Sequence, residues 1–129
     1  MHKGQKFTKM HGLGNDFIIM DFRDGPRSLD ADFIQRLSDR QRGIGCDQLI
    51  VLEPSENADI FMRIFNNDGS QAAACGNATR CVADIVMTER NQETCSVETI
   101  SGILPSWRAD DGQITVDMGR PEILEQAFE

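Results

Sequence analysis

The stretch "CGNATRCVADIVMTER" (75–90) decides the reading of this chain. From Asn77 onward, Ala78, Cys81, Val82, Ile85 and Val86 recur at the spacing of one buried helical face, which predicts a helix over about residues 76–90. The short apolar pieces on either side read as strands, some by alternation and some as continuous apolar runs. "KFTKM" (6–10), "FIIMDF" (17–22), "LIVLE" (49–53) and "DIFMRIFN" (59–66) precede it, and "CSVETI" (95–100), "ILPSWRA" (103–109) and "QITVDM" (113–118) follow. Asp30 is placed to cap a short helix whose Phe33, Ile34 and Leu37 share a face and which ends near Arg40, after the breaker "DGPRS" (24–28). The expected class is α+β, with mixed or antiparallel strands around one central helix.

Composition bounds the function. A chain of 129 residues has the size of one domain. Its thirteen Lys and Arg form no block and the formal charge is −8, which argues against nucleic acid as a partner. There is no apolar run of membrane-spanning length and no secretory h-region, so the expected location is cytoplasmic, with no membrane partner. Cys46, Cys75, Cys81 and Cys95 lack zinc-ligand spacing, and neither His2 nor His11 has a companion His at ligand spacing, so no metal site is expected. A reducing compartment also weakens a disulfide reading.

Cys75 has two readings. One is a small apolar residue of the core, the ordinary use of cysteine. The other follows from its place at the start of the helix. There, unpaired backbone N–H groups and the positive end of the helix dipole stabilise an anion, whether a thiolate or a substrate carboxylate. Gly76 lets a ligand approach the backbone, and Asn77 both donates and accepts hydrogen bonds. Three further polar loops bear on the choice. "GLGNDF" carries Asn15, "GCDQ" carries Asp47 and Gln48, and "FNNDGS" carries Asn66, Asn67, Asp68 and Ser70. Taken singly, these residues read as turn residues and strand-end caps.

Four motifs in order, "HGLGNDF" (11–17), "GIGCDQ" (43–48), "FNNDGS" (65–70) and "CGNATRC" (75–81), resemble the N-terminal half of the diaminopimelate epimerases, and "VDMGRP" (116–121) resembles the segment closing that half. The resemblance implies a cofactor-independent isomerase of lysine and peptidoglycan biosynthesis that interconverts LL- and meso-diaminopimelate. In such enzymes two similar domains close over a small-molecule substrate, and each contributes one cysteine for proton transfer. It implies that Cys75 is the first-domain cysteine. Asn15, Gln48, Asn66, Gly76 and Asn77 match substrate-contacting positions, and Phe17 matches an apolar wall residue. Ala78 stands where the family usually has glycine. The second cysteine belongs to a second half, so the expected division is a domain over 1–118 and the start of a connecting segment or tail over 119–129. In the family the chain end returns to the first domain, so an unpaired sheet edge is expected. Two other readings are a related racemase of another amino acid and a non-catalytic half-domain used in assembly. Pairing with a second epimerase domain, or of two copies as a homodimer presenting Cys75 from each side, is the expected association.

Overall fold

A computed structural model describes residues 7–12, 14–25, 29–73 and 75–118. The elements are β1 (Phe7–Gly12), β2 (Asn15–Asp21), α1 (Ala31–Ser38), β3 (Gln48–Glu53), β4 (Ile60–Asn66), β5 (Gln71–Ala72), α2 (Gly76–Arg90), β6 (Thr94–Thr99), β7 (Gly102–Arg108) and β8 (Ile114–Val116). They form one eight-stranded sheet in the order β1-β2-β3-β4-β6-β7-β8, with β5 beside β4. The expected α+β fold around the helix 76–90 is what the chain forms. The segment 119–129, and with it the end of "VDMGRP", lies outside the described residues, as do positions 26–28 of the breaker.

Two crossovers organise the sheet. β2 and β3 are parallel and are joined through α1. β4 and β6 are parallel and are joined through α2. The two helices cover opposite faces. Phe17, Ile19, Ile50, Leu52, Ile60, Met62 and Ile64 pack with α2, whereas Ile18, Met20, Leu49 and Val51 pack with Ile34 of α1. Strands covered on both faces are apolar at every position, which is why β2 and β3 read as continuous runs. β4 and β6 alternate buried and less buried residues because their second face is covered less completely. Each fully buried Ile, Leu or Phe contributes about 1.5–3 kcal/mol of burial free energy.

The central helix is buried more broadly than one stripe. Thr79, Ala83 and Met87 are buried with Ala78, Cys81, Val82 and Val86, while Ile85 of the expected face is only half-buried. A sheet that wraps a helix contacts more than one side of it, and β1, β4, β6, β7 and β8 all touch α2. The helix ends at Asn91, whose left-handed conformation (φ 54°) turns its N–H back to the carbonyls of Met87 and Thr88. The short helix is capped as expected: Asp30 Oδ1 accepts from the Phe33 N–H at 2.7 Å. It ends at Ser38, and Arg40 lies in the turn beyond.

Candidate active site

Sheet register brings the polar loops together. Phe17 pairs with Gln48, and Gln48 pairs with Asn66, so the three form one row across β2, β3 and β4. Side chains two residues apart share a face. Asn15 therefore lies on the side of Phe17 and Ile19, Gln48 on that of Ile50, and Asn66 on that of Ile64, which is the face covered by α2. β5 pairs with the end of β4 and leads directly into Cys75, the N-cap residue of α2. Asn15 thus meets Asn77 in the first turn of α2, and Gln48 and Asn66 lie on the same face of the sheet. Asn15, Gln48 and Asn66, with Cys75, Gly76 and Asn77, are half-buried.

Their amides are linked in two separate pairs. Asn77 Nδ2 donates to Asn15 Oδ1 at 2.9 Å, while Asn77 Oδ1 accepts from Arg80 Nη1 at 2.9 Å. Gln48 Nε2 donates to Asn66 Oδ1 at 3.0 Å, and Asn66 Nδ2 donates to Ser70 Oγ at 3.1 Å. Ser70 Oγ in turn donates to Asp68 Oδ1 at 2.6 Å, which holds the Asp68 carboxyl below its usual range. Phe17, at the end of this row, differs from the others: it is 0% exposed and packs in the core. Asn67 points elsewhere, with Nδ2 at 3.5 Å from the Cys46 carbonyl.

The start of α2 is held firmly and leaves donors available. The Cys75 carbonyl accepts from both the Thr79 N–H at 2.9 Å and Thr79 Oγ1 at 2.8 Å, and Thr79 is fully buried. The Cys75 side chain makes no capping bond. First-turn amides of a helix have no helical acceptor, and those of Gly76, Asn77 and Ala78 find no other among the described residues. Gly76 needs no special backbone, and an added Cβ would meet nothing closer than 3.9 Å, so packing among the described residues does not dictate glycine there. All four cysteines are free thiols. Burial pushes Cys46 and Cys81 up and Cys95 up to about 11, whereas Cys75 is the cysteine that is only half-buried.

One arrangement escaped the sequence reading. The Asp16 N–H donates to Asp47 Oδ2 at 3.0 Å and the Asp47 N–H donates to Asp16 Oδ1 at 2.9 Å, a reciprocal pair joining the loops that carry Asn15 and Gln48. Arg40 donates to both carboxylates, and Lys9 lies 3.2 Å from Asp16 Oδ2. The Arg40 guanidinium, aided by the Asp47 N–H and Lys9, holds the Asp16 carboxyl far below its usual range against the opposing effect of burial. The signal available in sequence was an aspartate following or preceding each candidate amide, in "GND" and "GCDQ".

The family model described as diaminopimelate epimerase matches residues 7–124. The chain belongs to the diaminopimelate epimerase family. It is 49% identical over 117 residues to a diaminopimelate epimerase of Rhodospirillum centenum, covering 89% of this chain and 40% of that protein. A second, from Rhizorhabdus wittichii, is 50% identical over 117 residues, covering 90% of this chain and 40% of that one. The chain spans about two fifths of the length of the curated relatives it matches. Among solved structures, a predicted epimerase of Pseudomonas aeruginosa superposes with a TM-score of 0.64 at 20% identity, over 91% of this chain and 44% of that one. A hydroxyproline epimerase from Agrobacterium vitis gives 0.59 at 18% identity, over 85% and 40%. These two likenesses describe the fold of this family domain.

Proposed function

We propose that this chain is one domain of a diaminopimelate epimerase and that Cys75 is one of its two acid/base thiols. The observation that carries the reading is the Asn15–Asn77 bond at the helix terminus where Cys75 stands, with the Gln48–Asn66 pair on the same face of the sheet. Removing an α-proton from an amino acid without an electron-sink cofactor leaves negative charge that fixed donors must stabilise. The amides of Gly76, Asn77 and Ala78 are such donors for the substrate carboxylate, reinforced by the helix dipole. Asn15 Nδ2 and Gln48 Oε1, which have no partner among the described residues, supply a donor and an acceptor for the carboxylate and ammonium of a zwitterion. Phe17, beside Gln48 in the row, is then an apolar wall residue of the pocket.

In this reading the Cys75 sulfur, as thiolate, takes the α-proton from one face of the substrate carbon. The electron pair is held as a carbanion stabilised through the adjoining carboxylate, and a proton arrives from a second acid on the opposite face. Inversion requires two groups because loss and delivery take place on opposite sides of one carbon. The second acid comes from the part of the protein that the longer relatives possess, with residues 1–118 as this domain and 119–129 beginning the connection. Closure of the two domains excludes water and brings the groups to the substrate.

The test joins this chain to the C-terminal three fifths of the Rhodospirillum centenum relative and follows deuterium entry at the α-carbon of meso-diaminopimelate in D2O under reducing conditions. Epimerisation that falls by about 10³-fold or more in Cys75→Ala, in line with loss of an essential acid/base group, supports the reading. Undiminished exchange in that variant removes Cys75 from the chemistry.

A further inference from the structure

We propose that Arg40 is a positioning residue: through Asp16 and Asp47 it sets the side-chain amides of Asn15 and Gln48. The inference rests on the reading of those two amides as substrate contacts. Asp16 and Asp47 each lie next in sequence to one of them, and each carboxylate receives the other's backbone N–H. Two carboxylates held this close repel unless cations compensate. Arg40 provides the compensation geometrically, with Nη1 to Asp16 Oδ2 at 3.0 Å, Nη2 to Asp16 Oδ1 at 2.9 Å and Nη2 to Asp47 Oδ1 at 3.1 Å. Lys9 adds the second positive charge, bridging Asp16 and the Gly45 carbonyl. The four charges balance, and the guanidinium is the group that touches both carboxylates.

The loop after α1 is built to hold Arg40 in this place. Gly45 has φ +86°, and a Cβ there would lie 2.9 Å from Arg40 Cγ and 3.0 Å from its Cα. Gly43 passes so close to α1 that a Cβ would fall 2.1 Å from the Arg36 carbonyl oxygen. Gly45 therefore serves the tight wrap of chain around Arg40, and Gly43 the close return of the loop to α1. The Arg40 side chain is 55% exposed and that of Asp16 is 12% exposed, so Arg40 can be replaced without opening a cavity while the carboxylate it serves stays inside. Lysine is no equivalent, because one ammonium does not reproduce the planar fork across two carboxylates.

The experiment records side-chain amide NMR resonances of this chain, selectively labelled and joined to the C-terminal three fifths of the Rhodospirillum centenum relative, free and titrated with meso-diaminopimelate, for wild type, Arg40→Gln, Arg40→Lys and Gly45→Ala. Arg36→Gln is the control, since Arg36 pairs with Asp32 on the exposed face of α1. In the free protein, Arg40→Gln moves the Asn15 and Gln48 side-chain amides and leaves β6 and β7 in place. Gly45→Ala reproduces the pattern, Arg40→Lys gives a smaller displacement, and the control gives none. Binding weakens at least tenfold in Arg40→Gln. The proposal is overturned if the two amides stay where they were, if the changes spread through β6 and β7 as in general destabilisation, or if wild type and Arg40→Gln bind alike. If wild type shows no binding, the substrate reading of the site fails, and the ligand-free spectra still decide whether Arg40 sets the amides.

Discussion

Cys75 is distinguished from the other three cysteines by its surroundings. Cys46, Cys81 and Cys95 are buried, and burial pushes all three thiols up, away from the reactive thiolate at neutral pH. Cys75 stands half-buried at the N-cap, with its carbonyl fixed twice by Thr79 and its sulfur making no capping bond. Brief treatment of the native chain with iodoacetamide is therefore expected to give one adduct, at Cys75 by peptide mass spectrometry, with the other three modified only after denaturation. An early adduct at Cys81 would mean that α2 opens readily from the sheet. The two readings of Cys75 open in the sequence, core residue or acting thiol, were open for a physical reason. Periodicity gives the face of a helix, and it gives neither what packs over the cap nor what lies beside it.

At the scale of elements, α1 and the loop after it brace two of the polar loops from the outer face of the sheet. At one end Gln35 Nε2 donates to the Asp68 carbonyl at 2.6 Å, and Gly69 approaches Ala31 so closely that a Cβ would lie 2.7 Å from the Ala31 Cβ. At the other end Arg40 holds the Asp16 and Asp47 pair. Gly69 also has φ +93°, so Gly69→Ala combines backbone strain with a steric clash. The expected cost is ~1–3 kcal/mol, the range of an overpacked contact, read from urea unfolding. An unchanged midpoint would show that α1 does not hold the 66–70 turn. This bracing was not legible in the sequence, although α1 itself was, from Asp30 and the spacing of Phe33, Ile34 and Leu37. Strands longer than about five residues were legible from alternation or continuous apolar runs, whereas β5 is only two residues and carries no period. The Gln48–Asn66 link was hidden as well, since it arises from strand register between segments that no local pattern connects.

At the scale of the molecule, the two helices cover the sheet unequally, and this sets where the chain opens. β2 and β3 are enclosed between the two cores, with Phe17, Ile18, Leu49 and Ile50 all fully buried. β7 is covered on one side only, and its other side presents Ile103 and Trp107 at 44% and 42% exposure. β8, the last strand of the sheet, is three residues long. β1 and β8 end the strand order on opposite sides, and both touch α2, leaving a cleft of about 610 Å³ bordered by Met10, Arg80, Asp84 and Ile114. Local opening requires only the contacts of the segment that opens, so its free energy follows the apolar burial there. Amides of β2 and β3 are therefore expected to exchange with solvent only through global unfolding, and those of β7 and β8 at least tenfold faster. Hydrogen–deuterium exchange followed by mass spectrometry reads the difference strand by strand. Uniform protection across the sheet would show that α2 alone fastens every strand equally, and the double-sided core under β2 and β3 would then contribute nothing to the order in which the domain opens.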